Sequence, residues 1–424
     1  MFRRSSPEPW SARSARTAER APFAQPFAPP CLRDPFPSHP LSSSVSAPIN
    51  LDNNATTRPL PAVVEAMHEA LTEHWHNPSS VHRAGQAARH VVEKSRGDLA
   101  TLIGAKAREI TFTSGGTESI DLAIRGSLLA RKKRVLVTDA VEHAAVRELA
   151  EALERDGVEV RRLPVLAGGV IDVDALPILL ESGVGVVSIQ WANNETGAIQ
   201  PIERVHERCR EAGVPLHVDA TQWVGKLPTP APVGDLMSFS PHKFGGPKGI
   251  GVLWARRSTP VKPLLHGAQE LGRRGGTENV PGIAGAGAAA REAMVWLVDE
   301  SERERLCALR DRFEAGVLQR CAGAVVNGPT GPGERLWNTT NIGFPRLEAE
   351  ALLLLMSERG LWASAGAACS SGSLDPSPVL LAMGVPDIVA HGSVRFSLGR
   401  DTSDDEIERA IEIVGLCVDT LSAS

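Results

Sequence analysis

The stretch 238–249, Ser-Phe-Ser-Pro-His-Lys-Phe-Gly-Gly-Pro-Lys-Gly, is the part of the chain best suited to covalent chemistry. The apolar run 235–239 reads as a short buried strand, followed by Ser240, His242 and Lys243 and then by Gly245, Gly246 and Pro247. A lysine just past a strand end, in a turn too tight for bulky neighbours, is well placed to hold an aldehyde as a Schiff base. Taken alone, a His-Lys pair is more often ordinary loop surface, so the reading depends on what else the chain offers.

Four further clusters follow strand-like runs. Thr113-Ser114-Gly115-Gly116-Thr117-Glu118-Ser119 opens a helical pattern, and it is either a plain capped turn or a phosphate site made of backbone N–H groups and the helix dipole. His143 follows Val141-Glu142; the chain has no tyrosine, so this imidazole could lie on a cofactor ring as well as serve structure. Asn193-Asn194-Glu195-Thr196-Gly197 is a good turn by composition, or an amide aimed at a ring hydroxyl or substrate carboxylate. His217-Val218-Asp219-Ala220-Thr221-Gln222 places a carboxylate at a buried strand end, which is costly unless paired. A pyridinium nitrogen is such a partner and makes the ring an electron sink. Metal binding by His217 and Asp219 competes, but no third ligand has metal-like spacing.

Together these residues suit pyridoxal 5′-phosphate (PLP). Gly116, Thr117, Ser240 and His242 form a phosphate cradle, His143 stacks, Asp219 meets the ring nitrogen, Asn194 and Gln222 meet the ring oxygen, and Lys243 anchors the aldehyde. Two more candidates lie towards the C-terminus. Cys369 sits in a run of Gly, Ala and Ser at 363–373, which suits a nucleophile that must travel. Arg395 is flanked by apolar residues on a strand-like stretch, as a clamp for a substrate carboxylate or as half of a structural ion pair.

The elements that must position these groups are those of an α/β fold. Strand-like runs at 109–114, 134–138, 158–165, 184–191, 216–219, 235–240 and 251–254 alternate with helical patterns at 117–131, 143–156, 172–182 and 201–212. Two helices precede them, at 61–74 and up to about 103. That rhythm predicts a seven-stranded, mostly parallel sheet with helices on both faces and ligands at the carboxyl ends of the strands. From about 300 a long charged helix (298–319), strand-like pieces (324–326, 338–344, 393–398) and helices at 347–359 and 403–419 predict a smaller α+β domain.

The chain has 424 residues, 42% hydrophobic and 22% charged, with a net charge of −5. It carries no basic stripe that would suit nucleic acid and no apolar run long enough to cross a membrane. Its six cysteines (31, 209, 307, 321, 369, 417) form no C-x-x-C pair, which points to a reducing compartment, the cytoplasm. Residues 1–48 hold 10 of the 31 prolines and six arginines with no hydrophobic period, and read as a disordered tail. A transit segment or an over-extended start of the reading frame would look the same, whereas Arg3-Arg4 lacks the apolar run of a secretory signal.

From residue 49 onward the sequence resembles the cysteine desulfurases, PLP enzymes of the class V aminotransferase family. The resemblance is carried by LDNNATT, NPSSVHRAG, FTSGGTES, VEH, ANNETG, HVDATQ, SFSPHKFGGPKG, RRGGTEN, the cysteine run and SVRFSLGR. It implies a fold type I large domain at 58–299 and a small domain formed by 49–57 and 300–424. It implies that Lys243 carries PLP, that Cys369 takes the sulfur as a persulfide and that Arg395 holds the carboxylate of L-cysteine. Thr277 would complete the phosphate site across a homodimer interface, and an iron–sulfur scaffold or sulfur carrier would receive the sulfur. No metal of its own is implied, although Cys369 would transiently ligate a shared iron–sulfur cluster. The cysteine run resembles the longer group I loop. Pro241 stands where glycine is commoner, and Gly-Ala-Ala-Cys with Pro376-Ser377-Pro378 is also similar to selenocysteine lyases, the alternative reading ahead of a PLP transaminase.

Overall fold

The strands of the central sheet are short and apolar because both of their faces are covered. The structure, a computed structural model, describes residues 47–366 and 375–423. The expectations for the tail up to residue 46 and for Cys369 lie outside the described residues. Among the described residues the strands are β1 (Ile49–Asn50), β2 (Ile110–Thr113), β3 (Val135–Asp139), β4 (Glu159–Leu163), β5 (Val184–Gln190), β6 (Leu216–Asp219), β7 (Leu236–Phe239), β8 (Gly251–Ala255), β9 (Val325–Val326), β10 (Thr339–Gly343), β11 (Leu361–Trp362) and β12 (Ser393–Ser397).

Seven of them form one sheet in the order β2-β8-β7-β6-β5-β3-β4. Every neighbouring pair is parallel except the two that involve β8. The exception follows from connection length. A parallel return needs a crossover of a dozen or more residues, and the segment between β7 and β8 is too short for one. Alternation along the strands feeds two apolar layers. Val137, Val218, Met237, Val252 and Trp254 face a core shared with the helices Pro61–Thr72, Arg83–Leu102 and Val280–Val298. Leu136, Val186, Leu236 and Leu253 face the helices Gly116–Arg131 and Ala144–Arg155.

A second apolar core gathers Ile49, Leu51, Phe313, Val317, Ile342, Leu352, Leu361, Phe396 and Val414. It lies against a three-stranded sheet of order β12-β10-β9 and a parallel pair of β1 with β11.

The strands of the two larger sheets match expectation closely, the pair β1–β11 and the short helices Pro378–Ala382 and Asp387–Ala390 were not expected, and the longer helical patterns differ in three places. The segment 172–182 forms only the 3-10 turn Val173–Ala175 and the single helical turn Leu176–Leu179. The charged helix begins at Glu300, with Asp299 as its cap, and runs to Arg320. Before it lies Val280–Val298, a helix the sequence pattern conceals. Its face shows no apolar–polar contrast because much of its length is buried, and its small residues admit close neighbours. A Cβ on Gly285 would stand 2.8 Å from Met67, and one on Gly287 would stand 2.6 Å from the Ser95 hydroxyl.

Candidate active site

The catalytic candidates of the large sheet all follow the carboxyl ends of parallel strands. After β7 the chain makes one 3-10 turn, Pro241–Lys243. Pro241 opens that turn, where no backbone N–H is needed. The glycines behind it permit the tightness: a Cβ on Gly246 would stand 2.6 Å from that of Pro241, and Gly245 has φ +89°. Lys243 Nζ donates to the carbonyl oxygens of Asn54 and Ala55 at 2.7 and 2.9 Å. The same polar turn braces the lysine loop elsewhere. Thr57 Oγ1 donates to the His242 carbonyl (2.9 Å) and accepts from the Gly245 N–H (2.7 Å). His242 Nδ1 lies 3.1 Å from Thr56 Oγ1, and burial, then the Lys243 and Lys248 charges, lower its pKa to about 4.

Beside this loop the helix Gly116–Arg131 begins without any side-chain cap, which leaves its first N–H groups free of side-chain acceptors. A Cβ on Gly116 would stand 2.8 Å from Ser240 Oγ and 3.5 Å from Thr221 Oγ1. Gly116, Ser240 and Thr221 therefore share one small space that only glycine leaves open. Thr221 Oγ1 is buried and has no hydrogen-bond partner among the described residues. Thr117 is exposed at the helix start. A phosphate fits this chemistry, since it would accept from the helix N–H groups and from the stranded hydroxyl.

His143 caps the helix Ala144–Arg155 by accepting the Ala145 N–H on Nδ1 at 3.1 Å. Burial is the largest influence lowering its pKa, against the raising effect of Asp219. Its proton, when it is neutral, is thus on Nε2. Asp219, at the end of β6, is buried and accepts from the Thr221 N–H at 3.0 Å. Two further carboxyls lie nearby. Burial raises Asp139 to about 7, and it raises Glu142 well above the carboxylate range, reinforced by the charges of Asp139 and Asp219. Both Glu142 oxygens and Asp139 Oδ2 lack side-chain hydrogen-bond partners. The raised pKa values of Asp139 and Glu142 favour their neutral forms beside Asp219, the residue expected to meet a ring nitrogen.

Both ring nitrogens of His217, the residue of the competing metal reading, are engaged within the sheet. Its Nδ1 and Nε2 lie 2.9 and 3.0 Å from the hydroxyls of Ser188 and Ser238, which tie β5 and β7 to β6. Among the described residues no group of three or more His, Cys, Asp or Glu could hold a metal ion.

Arg395, in β12, is buried, and its Nη2 donates to Asp52 Oδ1 at 2.6 Å. Its Nη1 donates to the Asn194 carbonyl (3.2 Å), and its Nε has no acceptor among the described residues. The ion pair foreseen as the alternative for Arg395 is therefore present, with the Nε N–H not used by it. Asn194 Oδ1 is likewise buried without a partner. Thr277 is exposed, just ahead of Asn279, the cap of the helix Val280–Val298, and among the described residues it makes no hydrogen bond to the other candidates. The described ends beside the Cys369 segment meet one carboxylate. Glu195 Oε2 accepts from Ser377 Oγ at 2.6 Å, and a Cβ on Gly366 would stand 2.2 Å from it.

Three site residues escaped the sequence reading. Thr221 was covered by the HVDATQ motif but is not distinguishable there from a turn residue. Asn54 and Lys226 were passed over as loop. Asn54 is 1% exposed and uses every polar atom. Its carbonyl receives Lys243 and Gln222, and its Oδ1 receives Lys226 and Asn338. Its Nδ2 donates to Thr339 and Asn194, and its N–H donates to Ser397 Oγ. The only sequence signal was the density of polar residues at 52–57.

Residues 49–410 match the Aminotransferase class-V family. The chain belongs to that family, whose members are PLP-dependent enzymes. Within it, the chain sits among the cysteine desulfurases. It is 46% identical over 379 residues to a cysteine desulfurase of Trichormus azollae, covering 88% of this chain and 94% of that one. It is 45% identical to the cysteine desulfurase NifS of Azotobacter vinelandii, covering 87% and 92%. A solved NifS-like protein superposes with a TM-score of 0.80 at 34% identity, covering 89% of this chain and all of that one.

Proposed function

We propose that the chain is a PLP-dependent cysteine desulfurase that converts L-cysteine to L-alanine and keeps the sulfur as a persulfide on Cys369. The observation that carries this is the lysine at the end of β7 beside a glycine-lined space with an orphaned hydroxyl, Gly116–Ser240–Thr221. In this reading Gly116, Thr117, Ser240, His242 and the newly found Thr221 hold the phosphate. His143 packs on the ring, Asp219 accepts its N–H, and Gln222 and Asn194 meet its oxygen. When bound, PLP supplies an aldehyde for amines and a ring that takes up the electron pair released at the substrate Cα.

The chain's own groups do the rest. Arg395 binds the cysteine carboxylate, using Nε and whatever Asp52 yields. The Lys243 amine carries the proton to and from Cα, and the Asn54 and Ala55 carbonyls give it a resting place when it is not so engaged. The Cys369 thiolate attacks the substrate sulfur. A sulfur–sulfur bond forms as the carbon–sulfur bond breaks, and the carbon takes up a proton and leaves as alanine. The persulfide then passes to an iron–sulfur scaffold or a sulfur carrier. We further propose a cytoplasmic homodimer in which Thr277, exposed here, reaches the partner's phosphate site, and a division into parts 58–299 and 49–57 with 300–424, supported by the two separate apolar cores. Among the described residues no helix is long and apolar enough to cross a membrane.

The test is to reconstitute the protein with PLP, supply L-cysteine and measure alanine and persulfide. Equal release of alanine and sulfur, with borohydride fixing the cofactor to Lys243, is expected. Label on Lys226 or Lys248 would overturn the assignment.

A further inference from the structure

Lys226 takes no part in the chemistry above, yet it lies at the centre of the site's hydrogen bonding. It is 4% exposed, and its Nζ donates to Gln222 Oε1 and to Asn54 Oδ1, both at 2.6 Å. Its backbone is fixed as well. Trp337 Nε1 donates to its carbonyl at 3.0 Å, and the preceding Gly225 has φ +78° and approaches so closely that a Cβ there would stand 2.5 Å from the Phe244 side chain. The turn that carries Lys226 is thus bolted onto the residue next to Lys243.

An amide side chain has two similar ends, and its hydrogen bonds decide which way round it sits. Lys226 Nζ is the donor in both of its side-chain contacts. It therefore requires the oxygen of Gln222 on its own side, which turns Nε2 the other way, where it now donates to the Asn54 carbonyl at 3.1 Å. The same demand on Asn54 holds Oδ1 towards Lys226 and Nδ2 towards Thr339 and Asn194. We propose that Lys226 is a positioning residue that fixes the polarity of Gln222 and Asn54, so that Gln222 presents an N–H, not an oxygen, to the ring oxygen of the cofactor. This rests on the reading of Gln222 as a cofactor contact.

Burial, and then the charges of Lys243, Arg395 and Arg400, lower the pKa of Lys226 well below the usual lysine value, and its Nζ is the donor in both contacts.

The test is a double-mutant cycle on the full chain with Lys226→Met and Gln222→Ala, read by PLP affinity and by the pH midpoint of the cofactor's absorbance. An N–H donor at the ring oxygen draws electron density from it and weakens its hold on the proton shared with the nitrogen of Lys243. Losing or reversing that donor raises the midpoint. Lys226→Met is expected to weaken PLP binding about tenfold and to raise the midpoint by about one unit. In the Gln222→Ala background the same change should shift either quantity less than about twofold or 0.3 unit. A purely structural lysine would give the same loss in both backgrounds and leave the midpoint in place, which overturns the proposal. Should Lys226→Met not fold, Lys226→Gln, too short to reach both acceptors, takes its place with the same expected coupling. Borohydride labelling of wild type separates the two failures: no label on Lys243 sinks the underlying function, whereas label there without coupling sinks only the role of Lys226.

Discussion

The two sides of the candidate site are finished to different degrees. On the lysine side, buried polar atoms stand without side-chain hydrogen-bond partners: Thr221 Oγ1, Asp139 Oδ2 and the carboxyl of Glu142, all at or just past strand ends of the central sheet. On the arginine side, Arg395 lies within a strand of the smaller sheet with its charge already paired to Asp52 and its Nη1 donating to the Asn194 carbonyl, while its Nε and Asn194 Oδ1 stand without partners among the described residues. Orphaned polar groups cost stability, and a fold keeps them where a ligand completes them. The lysine side is therefore built to hold a resident group, whereas the arginine side holds its charge on the protein's own carboxylate until an exchangeable anion takes its place. A cofactor on the one side and a substrate on the other fit that difference.

The sharpest way to break the comparison is to remove the covalent groups. Lys243→Ala should lower alanine formation on the order of 10⁴-fold and abolish borohydride labelling. Cys369→Ser should leave PLP binding intact and bring persulfide and alanine to background, because a hydroxyl is a far poorer nucleophile than a thiolate. Three of the other described thiols are poor substitutes. Burial raises Cys209 to about 12 and Cys321 to about 11, and it raises Cys417 as well. Mass spectrometry finding the persulfide on one of these three would sink the role of Cys369.

Arg395 comes next. Its loss should weaken cysteine binding by about 2–5 kcal/mol with PLP content unchanged. Asp52→Asn frees the guanidinium from its internal partner, so it should tighten binding of simple carboxylate inhibitors. If Arg395→Ala binds cysteine normally, the ion pair with Asp52 is all that Arg395 does.

How much of this was legible in the sequence follows from the same contrast. Strand ends announce themselves by the switch from apolar to polar residues, so Gly116, His143, Asn194, Asp219, Gln222 and Lys243 could be placed before the fold was seen. Arg395 was visible as a charge among apolar neighbours, but its partner Asp52 lies 343 residues away, and no local pattern encodes such a pair. Lys226 and Asn54 were missed for the same reason. A buried lysine in a sequence looks like a surface one, because burial is a property of the contacts and not of the spacing. The helix Val280–Val298 failed differently: small residues on every side erase the 3.6-residue signal.

A middle-sized effect tests the layer beneath the lysine side, which, unlike the site above it, is fully satisfied. His217 is wholly buried between two serine hydroxyls, and burial lowers its pKa from 6.5 to about 4. Its neutral form is favoured in the fold, so its contribution is complete above pH 6.5 and is lost as the pH falls towards 4. By linkage this amounts to about 3 kcal/mol. Asp139, raised to about 7, acts with the opposite sign over much of the same range, but it is common to wild type and a His217 variant. His217→Gln should therefore be less stable than wild type in urea at pH 7, and the gap should narrow as the pH falls from 6.5 to 4. A gap independent of pH would mean that His217 titrates normally.

The smallest expected effect separates the two sides most cleanly. Thr221 Oγ1 is buried beside Gly116 and Ser240 and has no partner among the described residues. If that hydroxyl exists to meet a phosphate, Thr221→Val, which keeps the shape and removes the polar atom, should change two quantities in opposite directions. PLP affinity should fall by about 1 kcal/mol, roughly fivefold, for one lost hydrogen bond. The cofactor-free protein should hold its melting temperature or gain a few degrees, because a buried unsatisfied hydroxyl has been replaced by a methyl group. The equivalent change on the arginine side gives no such split. Arg395→Ala strands the Asp52 carboxylate and the Asn194 carbonyl, so the cofactor-free protein should lose stability together with its substrate. A Thr221→Val protein that melts lower without PLP would show that the hydroxyl has a structural partner after all.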